Sequence, residues 1–408
     1  MKLRYIALLV ALFVFILKAN AQDTTNTSYG DGLLNLVAKD SSWSVKFAPR
    51  IQFRALSTWD HNGEQYTKPD QKFLIRRARL KFDGFAYSPK LKYKIELGLS
   101  SRDISGGNQF TSDAPRYILD AVLMWNFYEN FELWAGQTKL PGNLERIVSS
   151  GNLQLINRSL LNRDFNVDRD LGIQLHHKIK FSEKIILREK FALSQGEGRN
   201  ITSGNLGGHQ YTGRLELFPF GDFTNGTEYV QSDLKREQTP KLMIGAAYDY
   251  NDNAVKTRSN QGSYMQTSTG FYETDISTVF VDAMFKYKGF SFMGEFSNRD
   301  ADDPVATEVD GSVALDEDGN PTNDVVLVGN ALNLQAGYLF KNNYELAGRF
   351  TSLSFDEITK TQNQEQYTIG ISKYIVGHKL KIQSDFSYNT VENEKGPLAF
   401  RIGFDLHF

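Results

Sequence analysis

From Trp43 onward, apolar and polar residues alternate with a period of two. Trp43, Val45, Phe47, Ile51 and Phe53 share one parity, and Ser44, Lys46, Arg50, Gln52 and Arg54 hold the other. The next run sets Leu74, Ala78, Leu80 and Phe82 against Arg77, Arg79 and Lys81, and the third sets Leu91, Tyr93, Ile95, Leu97 and Leu99 against Lys92, Lys94 and Glu96. Such alternation is the signature of a β-strand with one apolar face. Repeating the reading to the last residue predicts further strands at 116–128, 131–138, 169–180, 184–194, 209–218, 241–250, 275–288, 289–299, 330–340, 344–355, 365–376, 378–390 and 398–408, sixteen in all with the first three. Some joins are tight, as at 129–130, 341–343 and 376–378. Others are long and polar, at 101–115, 141–168, 195–208, 221–240, 252–274, 299–328 and 356–364.

Short turns alternating with long loops, and an even strand number, predict an all-β transmembrane antiparallel barrel with short periplasmic turns and long extracellular loops. A soluble β-sandwich also buries one face of each strand, so alternation alone does not separate the two. Strand length favours the barrel, because a tilted crossing takes about 9–11 residues. So do the aromatics near strand ends, Trp125, Phe127, Tyr128, Phe131 and Trp134, which suit an interfacial girdle. No linker interrupts 43–408, which is read as one domain.

The first 21 residues are of another kind. Lys2 and Arg4 precede an uncharged apolar run from Tyr5 to Leu17, and Ala19-Asn20-Ala21 fits a small-x-small cleavage site. A secretory signal peptide cut before Gln22 is expected, since the run is short of the roughly 20 residues of a spanning helix. Segment 22–42, rich in Thr, Asn, Ser and Gly, reads as irregular. Export and a barrel together place the protein in the outer membrane of a Gram-negative bacterium.

Composition removes several function classes. There is no Cys, so disulfide frameworks and thiolate metal sites are excluded. Lys plus Arg number 46 against 48 Asp plus Glu, without the basic excess of a general nucleic-acid binder. The chain has 29 Phe, 19 Tyr and 4 Trp yet a mean hydropathy of −0.41, as expected of an apolar belt on a polar barrel. No hydrolase, zincin, Walker or dinucleotide motif is present, and no cofactor is expected. His176 and His177 are adjacent on a strand and point to opposite faces, while His61, His209, His378 and His407 are scattered. In the acidic 299–328 stretch, Asp316, Asp318 and Asn320 resemble part of a calcium loop, but Pro321 stands where the loop needs glycine. No metal site is expected.

Candidate chemistry lies on the polar parity. If the apolar parity faces lipid, Lys46, Arg50, Arg54, Arg77, Arg79, Lys81, Lys92 and Lys94 face the lumen of the first strands, with Asp83 and Glu96 as partial counter-charges. A basic wall in a narrow low-dielectric channel focuses the field and guides anions. The guanidinium fork suits phosphate oxygens, and a ladder of moderate sites lets an ion move on. The competing reading is that these cations merely brace the wall. Arg76 breaks the parity and is expected on the lipid face near a rim, where its stem can snorkel. Segment 141–168, with Glu145, Arg146, Arg158 and Arg163 following Lys139, has the length and mixed character of a constriction loop folded into the lumen; an external loop packing on a neighbouring subunit is the alternative.

Certain elements also resemble a known family. They are Gly30-Asp31-Gly32, Ser44-Val45-Lys46-Phe47, Arg50-Ile51-Gln52-Phe53-Arg54, Arg76-Arg77-Ala78-Arg79-Leu80, Gly136-Gln137-Thr138-Lys139-Leu140-Pro141 with Glu145, and Arg169-Asp170-Leu171-Gly172-Ile173. In order and spacing they resemble the phosphate-selective porin O and P family. The resemblance implies a sixteen-stranded outer-membrane channel, commonly a homotrimer, that passes small inorganic anions. It also implies that the aromatic-ended last strand, Gly403 to Phe408, is what the barrel-assembly machinery recognises. A plugged accessory barrel of a larger outer-membrane assembly is the competing function, and a Ser–His hydrolase built from distant barrel residues is a third.

Overall fold

The computed structural model describes residues 28–408 except 203, 317 and 393, so the expected signal peptide lies outside the described residues. A hairpin of β1 (Leu34–Val37) and β2 (Ser44–Phe47) precedes the barrel. The barrel strands are β3 (Arg50–Trp59), β4 (Asp70–Ala86), β5 (Ser88–Gly98), β6 (Ile118–Tyr128), β7 (Phe131–Lys139), β8 (Arg169–Lys180), β9 (Ile186–Ser194), β10 (Gln210–Phe218) and β11 (Lys241–Ala254). They continue with β12 (Thr274–Tyr287), β13 (Phe290–Ala301), β14 (Gly329–Leu339), β15 (Tyr344–Phe355), β16 (Gln364–Val376), β17 (Leu380–Val391) and β18 (Glu394–His407). Each pairs antiparallel with the next, and β18 returns to β3, from Leu398 opposite Trp59 to His407 opposite Arg50. Closure leaves no unpaired edge.

Burial decides between barrel and sandwich. The apolar parity points outward, with Ile51, Phe53, Leu123, Ile173, Leu215, Ile369 and Ile402 exposed. The polar parity is buried, including Arg50, Gln52, Arg54, Arg214, Glu216, Asp282, Glu295 and Lys381. A soluble sandwich would show the reverse.

Five local expectations are corrected. The first predicted strand is broken at Ala48-Pro49, where proline supplies no N–H for a ladder. Its first half, β2, pairs instead with the lower end of β4, Lys46 opposite Asp83 and Phe47 opposite Phe82. Lys46 therefore sits on the hairpin and not on the barrel wall. Within the segment read as irregular, Leu34–Val37 forms β1 because it finds Ser44–Phe47 to pair with.

Arg76 is not on the outer face. Gln52 lies opposite Arg77 but Phe53 lies opposite Ile75, so Arg76 is the extra residue of a β-bulge. The bulge turns Arg76 and Arg77 together toward the lumen. Below it Ala78 and Leu80 keep the outward parity, while above it Phe73 (79% exposed) and Ile75 take it and Leu74 lies opposite Arg54.

Trp134 is also inward. It lies between Met124 and Gln174 in register and borders the lumen, whereas Trp125, Phe127 and Tyr128 are exposed on the outside. Finally, 219–240 belongs to the end that carries the tight turns and Phe408, not to the long-loop end. It is the long exception there, and it folds upward into the lumen.

Candidate functional site

Loop 140–168 leaves β7 after Lys139, crosses the lumen and rejoins the wall at Arg169. Its apolar side chains hold it there. Leu144, Val148 and Leu153 pack with Ile186, Phe218, Met243, Met284 and Met293 of the wall, and Leu160, Leu161 and Phe165 pack with Ala331, Leu353 and Phe355. Within the loop, the short helices Leu144–Ile147 and Leu160–Asp164 are tied together by Glu145, whose carboxylate accepts from the Ser159 N–H at 3.0 Å and hydroxyl at 2.5 Å. The Ser159 hydroxyl in turn caps the second helix by accepting from the Asn162 N–H.

Wall cations hold the loop's backbone. Arg50 donates to Ser150 Oγ and O at 2.8 and 3.0 Å, Arg54 to Asn157 Oδ1 and Ile156 O at 2.6 and 3.0 Å, and Lys381 to Gly151 O and Leu153 O at 3.0 and 2.7 Å. Arg214, Arg299 and Arg349 donate to Gly142 O, Asp164 O and Asn157 O at 2.8–2.9 Å. These carbonyls would otherwise be unsatisfied in a buried loop. From below, the 219–240 segment adds Gln231, which accepts from the Gln154 N–H and donates its own N–H to Asn152 O. The loop is therefore pressed against the β10–β18 and β3 side of the barrel, and the opening lies on the β4–β9 side.

Two neighbouring cavities of about 530 and 500 Å³ make that opening, and both are bordered by Arg76, Arg77, Arg102, Arg146 and Arg158. The deeper one adds Arg79, Lys94, Lys139, Arg169, Lys190 and Arg199 against four carboxylates, Glu96, Asp103, Asp120 and Asp168. The upper one adds Arg163, Arg258 and Arg401 and has no carboxylate among its described lining residues. The carboxylates are engaged: Arg79 bridges Glu96 and Asp103, Lys94 and Arg169 share Asp120, and Arg146 pairs with Asp168. Among the described residues, no carboxylate oxygen lies within 4.0 Å of Arg76, Arg77, Arg102, Lys139, Arg158 or Arg199.

The expected lumen residues thus fall into three groups. Arg77, Arg79 and Lys94 border the opening. Arg50 and Arg54 are clamps for the loop, the bracing role. Lys81, paired with Asp83 at 2.7 Å, and exposed Lys92 lie toward the lower mouth near Lys46. Of the expected constriction residues, Lys139, Arg146 and Arg158 border the opening and Arg163 the upper cavity, while Glu145 is fully buried as the loop's internal tie. Parity carried into later strands would have found Lys190 and Arg401. Arg102 and Arg199 lie in loops, where alternation gives no signal.

Burial and neighbouring arginines depress two of the loop cations. Burial, then Arg169, Arg79 and Arg50, outweigh the pull of Glu145 and push Arg158 down to about 10. Burial and then Arg116 and Arg169 push Arg199 down to about 9. Both groups keep their charge through neutral pH, since these values lie well above it and a guanidinium holds its proton firmly. The anion-to-cation permeability ratio is accordingly expected to stay constant from about pH 6 to about pH 8. Reversal potentials in a salt gradient across that range check this; a ratio that falls over it would show that a group titrating near neutral pH, and not these arginines, sets the selectivity.

A closed barrel with an apolar outside, a loop folded into its lumen and a cation-lined opening defines an outer-membrane porin. The chain belongs to the phosphate-selective porin O and P family, whose model matches residues 51–312. An uncharacterized protein of Aquifex aeolicus (strain VF5) is 23% identical over 392 residues, covering 89% of this chain and 86% of that one. Among solved structures, the anion-selective porin from Comamonas acidovorans is similar at a TM-score of 0.55 and 10% identity, covering 90% of this chain and all of that one. Salmonella typhi OmpF, in complex with daunomycin, is similar at 0.54 and 11%, covering 91% and 100%. Fold and family place the protein in a Gram-negative outer membrane, with the tight-turn end periplasmic.

Proposed function

We propose that this porin is a passive diffusion channel selective for small inorganic anions, with phosphate as the leading solute. The observation that carries the reading is the set of cations around the opening with no carboxylate partner. Each offers charge to a passing anion without first breaking an ion pair, and the shared arginines between the two cavities give successive sites instead of one deep trap. Arg76, Arg77 and Arg158 lie where both cavities meet, so they are the residues assigned to selection. The working form on this reading is a homotrimer in outer-membrane lipid, inserted by the barrel-assembly machinery through the strand ending at Phe408 after signal-peptide cleavage near Ala21. It needs no cofactor and catalyses no reaction.

One observation favours a second reading. Both 140–168 and the periplasmic 219–240 segment fill lumen, as expected of a plugged accessory barrel held in a larger assembly. Single-channel current of the refolded barrel separates the two. An anion-directed reversal potential in a chloride gradient, with chloride current reduced by added phosphate, is expected. A barrel that carries no current would establish the accessory reading, and equal anion and cation permeability would remove selectivity.

A further inference from the structure

Below the cationic ring the wall changes character. On β6 and β7 the inward positions include Val122, Met124 and Trp134, three apolar side chains bordering the same cavity as the arginines. Met124 and Trp134 are directly paired across the strands. Beside them, the inward positions of β5 are cationic: Lys92 lies opposite Met124 and Lys94 opposite Val122. The indole is fixed, since its Nε1–H donates to Glu132 at 3.0 Å and the His176 ring stacks on it with centroids 4.2 Å apart.

A porin lumen is polar because water fills it, and apolar surface left there gains nothing from burial. A fixed aromatic beside Met124, both partly exposed, gives an apolar solute surface to lie on. Lys92 is exposed and has no carboxylate within 4.0 Å among the described residues. The backbones of Lys92 and Trp134 are two strand spacings of about 4.8 Å, roughly 10 Å in all, apart, a gap that a benzene ring with its acid group and one ion contact bridges.

We propose that the channel accommodates monoanions with an aromatic body, the ring resting on Met124 and Trp134 while the acid group is held by Lys92. The inference rests on the anion-channel reading and extends it from inorganic ions to aryl carboxylates. Trp134 and Met124 are the specificity-determining residues, and the cations above them supply charge selection.

Benzoate and acetate carry the same charge, and sieving by size alone favours acetate. In bi-ionic reversal-potential measurements against chloride on the refolded barrel, benzoate is expected to be the more permeant by about threefold, roughly 0.65 kcal/mol. Trp134→Ala and Met124→Ser should each bring the benzoate-to-acetate ratio to one or below, and Trp134→Phe should retain it. Chloride-over-potassium selectivity should be unchanged in all three. Acetate more permeant than benzoate in the unmodified channel, or a benzoate preference that survives both Trp134→Ala and Met124→Ser, would overturn the proposal. Failure of the underlying reading shows separately, as a chloride-over-potassium ratio near one in the unmodified channel.

Discussion

Replacing Arg76 and Arg77 together by glutamine is expected to lower the anion-to-cation permeability ratio about tenfold, equivalent to about 1.4 kcal/mol, while leaving the barrel's stability nearly unchanged. Both guanidinium groups border both cavities, and neither has a carboxylate within 4.0 Å among the described residues. At an effective dielectric of about 20, a single charge about 7 Å from the ion is worth roughly 2 kcal/mol before mobile ions screen it. Two such charges, partly screened and partly replaced by the remaining arginines, leave the tenfold effect. Stability holds because the Arg77 Nη1 donates to the neutral Gln52 side chain, so its removal strands no buried charge. Reversal potential in a potassium chloride gradient reads the first quantity and denaturant unfolding of the refolded barrel the second. A ratio unchanged by the double substitution would mean that the wall arginines only brace the fold.

Arg76 also shows where reading by alternation stops. The repeating parity of Trp43 to Phe408 was enough for strand number, order and closure, because each strand's register is set by one outward apolar face. A bulge shifts that parity by one residue through the pairing with another strand, Gln52 with Arg77 but Phe53 with Ile75, and leaves no mark in the local pattern. Trp134 escaped for a related reason: an aromatic near a strand end suits a girdle as well as a lumen, and only its register with Met124 and Gln174 decides. The site itself was legible in part. Arg77, Arg79 and Lys94, read from parity, and Lys139, Arg146 and Arg158, read from the length and mixed character of 141–168, all border the opening. The division of labour between clamps and pathway was not legible, since Arg50 and Arg77 occupy the same parity of neighbouring strands. What separates them is the partner across the lumen, which depends on how 140–168 lies.

The length of a connection was a poor guide to its side for the same physical reason. Segment 219–240 is as polar as an external loop because it, too, ends among polar groups. Those groups are inside the barrel: Glu228 with Arg188, Thr227 O with the Lys286 ammonium, and Gln231 with the loop's own backbone. Polar satisfaction by a lumen and by solvent call for similar residues.

Arg50 supplies the contrast to Arg77, and Arg50→Met is expected to destabilise the barrel by about 3–5 kcal/mol while raising open-channel conductance and current noise. Its guanidinium meets Asp405 with two hydrogen bonds, at 2.9 and 2.6 Å, with both side chains almost fully buried, and its remaining donors hold Ser150 of the loop. Methionine of similar length fills the space but leaves the Asp405 carboxylate with only Gln52 at 3.1 Å and His407 at 2.9 Å. That buried carboxylate without its main partner is the source of the stability loss. The loop loses its tether at Ser150, next to Gly151, which packs so closely on the His407 ring that an added Cβ would lie 2.3 Å from it. A loop that loses its tether at Ser150 and keeps the Lys381 bond to Gly151 O shifts locally at the wall and intermittently widens or narrows the opening, hence larger and noisier currents with a modest change in anion preference. Asp405→Asn in the Arg50→Met background removes the stranded charge, and it should recover most of the stability but not the quiet current. If the single substitution instead abolished anion preference at normal stability and conductance, Arg50 would belong to the pathway, and the separation between clamping and selecting cations would fall.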